Sequence, residues 1–225
     1  MSAQRFQNHF EDLPPALPVF PLSGVLLLPG GLLPLNVFEP RYLAMVEDAL
    51  GCGRLIGMIQ PVSPEEENEK SETPPRLYET GCAGRISHFS ETEDGRFLIT
   101  LTGISRFRIV EEIAARRGYR RAAVSWSSFR NDFDGEEEPA IDRPRLIAAL
   151  KAYGRLHGMD INWKAVETAS DRALSISLPM ACPFEPSEKQ ALLECPDITQ
   201  RAHTLLTLME MAIADGGARQ NLVRQ

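Results

Sequence analysis

Crowded carboxylates, scattered histidines, four cysteines and one cluster of arginines are the groups in this sequence that could carry chemistry. The carboxylates gather in "PEEENEKSE" and "DGEEEP". Runs of like charge are solvated and mobile, which is poor ground for an acid–base pair of tuned pKa. His9, His88, His157 and His203 stand far apart and no H-E-x-x-H occurs, so they predict no metal site. Cys52, Cys82, Cys182 and Cys195 contain no C-x-x-C pair and no secretion signal opens the chain. They read as reduced thiols of a cytoplasmic protein. Cys182 and Cys195 flank one predicted helix, and small buried side chains are the expectation there rather than metal ligands. No Gly-Lys pair exists, which removes the G-x-x-x-x-G-K-[ST] phosphate loop, and G-x-S-x-G is absent. "GCGRLIG" (Gly51 to Gly57) follows a helix and precedes a strand, the reverse of a phosphate site, so it reads as a helix stop. The expectation is no enzyme, no cofactor and no metal.

The basic cluster is "RRGYRR", Arg116 to Arg121. Arginine interleaved with tyrosine suits RNA, through charge and base stacking. The cluster follows Glu111 and Glu112, and the same residues equally suit a hairpin rim. The net charge of −7 works against sequence-independent nucleic-acid binding, which needs Lys and Arg to neutralise phosphates. DNA is therefore excluded as a partner, and RNA remains the alternative.

The elements that would position these groups begin with "GVLLLPGGLLPLNVFEPRY", Gly24 to Tyr42. A membrane-spanning helix needs roughly 20 unbroken apolar residues. Pro29, Gly30, Gly31 and Pro34 break this stretch, so no membrane anchor is expected. It reads as a short buried strand (Val25 to Leu28), a Pro-Gly-Gly turn, and a second strand (Leu32 to Phe38) in which Pro34 marks an edge or bulge. Glu39 caps a helix weakly, Pro40 sits in its first turn, Leu43, Val46 and Leu50 form its apolar stripe, and Gly51 stops it. Leu17 to Leu22 and Arg54 to Val62 are further strands, and the charged segment from Ser63 is a solvated loop. Asp94-Gly95 predicts a two-residue hairpin turn. Beyond it Phe97, Ile99 and Leu101 alternate with Leu98, Thr100 and Thr102, Gly103 breaks the run as a bulge or barrel corner, and Phe107 and Ile109 alternate with Arg106 and Arg108. Tyr119 to Phe129 is the last strand.

After an acidic linker the pattern turns helical. Asp142 and Pro144 open a helix with Leu146, Leu150 and Tyr153 on one stripe, ending at Gly158. Asn162 or Asp160 starts a short helix, and Ser170 starts another through Leu174 and Leu178. Ser187 with Gln190, and Asp197 with Gln200, read as capping boxes. The second opens a long helix with Ile198, Ala202, Leu205, Met209 and Ala212 on one face. The expected class is α+β, a many-stranded β domain (14–130) with an inserted helix, a linker (131–139) and a small all-α bundle (140–215). Residues 1–13 and 216–225 are expected to be flexible tails.

Several blocks, in order, resemble the Lon substrate-binding domain, the amino-terminal domain of the ATP-dependent protease Lon. They are Leu17-Pro18, Pro21-Leu22, Pro29-Gly30 and Phe38-Glu39-Pro40-Arg41-Tyr42, then "GCAGRI" (Gly81 to Ile86), "LTGISRFRI" (Leu101 to Ile109) and the helical "SLPMACPFEPSEKQALLECPDITQRAHTLLTLM". The resemblance covers roughly residues 14 to 215. It implies a PUA-like β-barrel followed by a helical bundle, and binding of unfolded or extended polypeptide or of a partner protein. Lon continues into an ATPase module and a Ser–Lys protease domain. Neither is in these 225 residues, so the expectation is a stand-alone domain that does not inherit peptidase activity. The candidate binding residues within the blocks are Leu33, Phe38, Glu39, Arg41, Tyr42, Arg85 and Arg106. Each has a structural alternative. Glu39 can cap the helix while Arg41 pairs with a nearby carboxylate and pins the strand–helix corner. Leu32, Leu33 and Leu35 are expected in the core; exposed, they would mark a binding surface.

Overall fold

The computed structural model describes residues 10–62, 74–134 and 138–223. The loop predicted from Ser63 lies mostly outside the described residues, as do His9 and part of the predicted linker. The chain divides into two compact units, one ending at Gly135 and one beginning at Glu136.

The first unit is a PUA-like barrel. Its strands are β1 (Ala16–Pro21), β2 (Leu32–Val37), β3 (Leu55–Ile59), β4 (Thr80–Glu91), β5 (Phe97–Arg116) and β6 (Tyr119–Ser125), with α1 (Pro40–Gly51) between β2 and β3. β1 pairs with β3 in parallel, and the β2–α1 segment supplies the crossover such a pair requires. Antiparallel pairings of β3 with β4, β4 with β5, β5 with β6 and β6 with β1 close the ring. β2 stands outside it, paired along the N-terminal half of β5. β3 is buried at every residue, as a strand covered on both faces must be. The core gathers Leu17, Val19, Ala83, Phe107, Ala122 and Trp126. The Trp126 indole N–H donates to the Pro14 carbonyl at 2.9 Å, so its polar edge is satisfied inside.

Gly103 makes the barrel corner. The β4–β5 register shifts beside it, and a Cβ there would lie 2.0 Å from the Leu28 carbonyl oxygen. Its N–H donates to Gly31 (2.8 Å) and its carbonyl accepts from Gly30 (2.9 Å), so the Pro-Gly-Gly turn is bonded to the corner. Gly31 N–H closes the turn on Leu28 at 2.9 Å, with Gly30 at φ +79°, the type II pattern for Pro then Gly.

Several expectations change. Val25 to Leu28 is not a strand; Leu26, Leu27 and Leu28 are buried without a ladder, because apolar content sets burial and not pairing. The buried face of α1 is Tyr42, Met45, Val46 and Ala49, rotated from the predicted stripe because Tyr42 stacks on Phe20 at 4.2 Å. Leu43 and Leu50 flank that face, half-buried. The chain reverses after α1 at Gly53 and Arg54, both at positive φ, and not at Gly51. Asp94-Gly95 belongs to a three-residue loop: Gly95 N–H donates to Thr92 at 2.9 Å with Gly95 at φ +78°, the Gly-bulge hairpin. The two-residue turn is instead Arg117-Gly118, with φ of 47° and 87° between the paired residues Arg116 and Tyr119. The last strand stops at Ser125, and Ser127–Phe129 is a 3-10 turn.

The N-terminal tail ends earlier than predicted. Phe10–Asp12 form a 3-10 turn, Phe10 meets the edge of the Phe133 ring at 5.7 Å, and Leu13 packs on the barrel core. Asn131–Asp134, expected as linker, is a short helix, α2.

The second unit comprises α3 (Arg143–Leu156), α4 (Trp163–Thr168), α5 (Asp171–Ala181), α6 (Pro186–Glu194) and α7 (Ile198–Val223). Asp142, Asn162, Ser170 and Asp197 each accept a first-turn N–H, at 3.0, 3.1, 3.1 and 2.7 Å. The α4 cap is thus Asn162 and not Asp160. The α6 capping box is Glu185 with Glu188, not Ser187 with Gln190, because Pro186 takes the first helical position. Gln190 is buried and donates to Glu194 at 2.7 Å. Leu146, Leu150, Tyr153, Leu205 and Met209 form the core as the stripes predict. α7 runs on to Val223, through the expected tail. No helix among the described residues is long and apolar enough to cross a membrane.

Candidate functional site

β2 is the edge of the sheet, and among the described residues it pairs only with β5. Gly103 N–H to Gly31 sets the alternation of the ladder, so Leu33, Leu35 and Val37 bond inward to β5 and the main chain of Leu32, Pro34 and Asn36 faces the open side. Pro34 has no N–H, so at this position the β5 ladder loses nothing. The side chains alternate in step. Leu33, Leu35 and Val37 turn toward Leu101, Ile99 and Phe97, while Leu32, Pro34 and Asn36 lie across from Thr102, Thr100 and Leu98 on the outer face. That face continues onto β4 as Arg85, His88 and Ser90. Leu32 and Phe38 are each 63% exposed and Leu98 41%. The arrangement offers open main-chain acceptors and donors beside an apolar strip, the chemistry that accepts an added extended strand.

The predicted residues scatter around this edge. Leu33 is half-buried on the inner face of β2. Phe38 is exposed just past the strand. Glu39 and Arg41 pair with each other at 2.8 Å on the surface, at the junction between β2 and α1. Glu39 caps α1 by position only; its carbonyl accepts from Leu43, and its side chain makes no cap bond. Tyr42 is buried under the Arg41 guanidinium and against Phe20. Arg85 is half-buried on the outer face of β4, opposite Thr102. Arg106 is 3% exposed and Asp132 on α2 holds it, accepting from Nη2 at 2.7 Å and from the Arg106 main-chain N–H at 2.8 Å. Its role is to fasten α2 to β5. The sequence places Leu32 in the core with Leu33 and offers no signal for Leu98; only knowing which face of β2 is covered separates Leu32 from Leu33.

The arginine cluster is engaged within the chain. Arg117 reaches Glu47 (2.6 Å) and Asp48 (3.1 Å), Arg116 reaches Asp48 (3.1 Å), and Arg120 pairs with Glu112 and donates to the Pro75 carbonyl (2.8 Å). Tyr119 Oη donates to Asp48 at 2.7 Å, and these donors hold the Asp48 carboxyl below the usual carboxylate range. The β5–β6 hairpin is thereby clamped onto α1.

Burial pushes the Cys182 thiol up to about 12, so it stays protonated at neutral pH. Cys195 bonds the Ala191 carbonyl and Thr204. His157 stacks on Tyr153 at 4.2 Å, while His88 and His203 are exposed. Among the described residues no group of three or more His, Cys, Asp or Glu could hold a metal.

The fold is α+β, a PUA-like barrel followed by a helical bundle. The chain belongs to the family of the ATP-dependent protease La (LON) substrate-binding domain, whose model matches residues 16–211. It is 27% identical over 209 residues to Lon protease 2 of Myxococcus xanthus, covering 88% of this chain and 24% of that protein. It is 32% identical over 108 residues to Lon protease of Dictyoglomus thermophilum, covering 48% of this chain and 13% of that one. The chain thus spans about a quarter or less of the length of these relatives. The crystal structure of a Lon N-terminal domain protein from Xanthomonas campestris superposes with a TM-score of 0.58 at 25% identity, covering 85% of this chain and 97% of that one. The N-terminal domain of a Mycobacterium avium complex Lon protease gives the same TM-score of 0.58 at 17% identity, covering 87% and 98%, which speaks for the fold alone.

Proposed function

We propose that this protein is a non-enzymatic binding module that takes extended or unfolded polypeptide along β2, acting in the cytoplasm as a substrate-recognition or adaptor protein. The carrying observation is the open edge of β2 flanked by Leu32 and Phe38, both 63% exposed. Family membership supports the same reading. An added strand can bond the main chain of Leu32 and Asn36 and the Pro34 carbonyl, but finds no donor at Pro34. That gap favours weak, sequence-tolerant binding over a permanent sheet extension. The RNA alternative has less behind it, since Arg116, Arg117 and Arg120 already face carboxylates of this chain.

The test is fluorescence anisotropy with a labelled, permanently unfolded polypeptide. Binding in the micromolar range is expected, and replacing both Leu32 and Phe38 by Asp weakens it at least about tenfold, some 1.4 kcal/mol. Val110→Asp serves as control, because Val110 is 67% exposed on the far half of β5. No binding at high micromolar concentration, or equal affinity for the double variant, would refute the proposal.

A further inference from the structure

The helical unit holds a cleft that polypeptide binding on β2 does not use. Its volume is about 440 Å³, at the small end of ligand pockets, which suits a small molecule or a chain end and not a folded partner. Ile147, Met159, Ile161 and Val166 form an apolar lining, and Trp163, the first residue of α4, stands beside them. Gly154 lets Ile161 close down on α3: a Cβ at Gly154 would lie 2.5 Å from the Ile161 Cδ1.

The rim is charged. Lys151 and Arg155 lie one turn apart on α3, both exposed, and the Lys151 ammonium sits 5.5 Å from the centre of the Trp163 ring. Neither is in an ion pair among the described residues, whereas Arg143 and Arg145 on the same helix are paired with Asp171 and Glu210. Glu167 lines the α4 side. Two cations face one carboxylate, a local positive excess on a chain of net charge −7. The helix holds the two cations on one face, and a guanidinium presents paired N–H groups that match a carboxylate.

We propose that this cleft binds a small carboxylate with an aromatic or branched aliphatic body. The carboxylate lies between Lys151 and Arg155, and the body rests against Trp163 and the apolar lining. A free acid and the C-terminal residue of a peptide share this chemistry.

The two tryptophans report separately, since Trp126 is buried in the barrel unit with its N–H on Pro14. Phenylacetate titrated into the full chain should shift the indole N–H resonance of Trp163 and leave that of Trp126 in place. Phenylacetamide should bind at least about tenfold more weakly, because it forfeits the charge-assisted bonds. Exchanging Lys151 and Arg155 for Gln together should remove the preference for acid over amide while thermal unfolding stays unchanged. Glu167→Gln should tighten phenylacetate about two- to threefold by lifting a repulsion. A short peptide ending in Leu, as free acid and as amide, tests the second source. Discrimination stronger than with phenylacetate assigns the site to chain ends, and weaker discrimination assigns it to free acids. No Trp163 shift at about 10 mM phenylacetate, where even a millimolar site would be filled, would overturn the proposal. So would equal response to acid and amide, or weaker binding by Glu167→Gln.

Discussion

The N-terminal half of β5 borders β2, where Leu32 and Phe38 stay 63% exposed and the outer main chain has no partner strand among the described residues. The C-terminal end of the same strand turns at Arg117-Gly118, where Arg116, Arg117 and Arg120 each meet a carboxylate. By composition the second region suits RNA or a hairpin rim, and the first suits core or, if exposed, a binding surface. In the structure Arg116, Arg117 and Arg120 are paired within the chain while Leu32 and Phe38 are exposed. A charge already paired within the chain must give up that pair to serve a partner, while an apolar side chain on an open edge gains by being covered.

The sharpest way to break this comparison is at Arg106, where the two halves of β5 meet. Asp132→Ala leaves a buried guanidinium without its carboxylate and should destabilise the barrel by about 3–5 kcal/mol, read by urea unfolding. Unchanged stability would mean that α2 does not hold the strand. Next comes Gly103→Ala. Its new methyl collides with the Leu28 carbonyl, and overpacking of this kind costs about 1–3 kcal/mol. Because that contact fixes the turn leading into β2, polypeptide affinity should fall with stability, whereas loss of stability alone would separate the turn from the edge.

The smallest effect is at the clamped hairpin. The donors around Asp48 depress its pKa below the ordinary 3.8. Its contribution is therefore present above that value and lost as the pH falls through the depressed one. Acid unfolding of Asp48→Asn should show a slightly shallower loss of stability below about pH 4, with polypeptide binding at neutral pH unaltered. A loss of binding in that variant would show that the hairpin and the edge are coupled.

Much of the fold was legible because local chemistry and tertiary packing agree. Asp142, Ser170 and Asp197 cap where side-chain oxygens precede apolar stripes, and the Pro-Gly-Gly turn forms as its φ preferences require. Errors fell where neighbours decide. Pro186 moved a capping box by two residues, and stacking of Tyr42 on Phe20 rotated the buried face of α1. Arg106 alternates with Phe107 like a surface residue, yet Asp132, distant in sequence, draws it inside.

The α+β class, the order of barrel and bundle, the Lon-type blocks and the lack of recognisable catalytic motifs could all be read along the chain, since they rest on short-range spacing. Pro34 already pointed to an edge or bulge in β2, but only the tertiary structure shows which of the two it is, that Leu32 faces out while Leu33 faces in, and that the arginines are spent on Glu47, Asp48 and Glu112. Strand order and long-range ion pairs depend on which distant segments meet, and alternation along one strand cannot say which of its two faces the rest of the chain will cover.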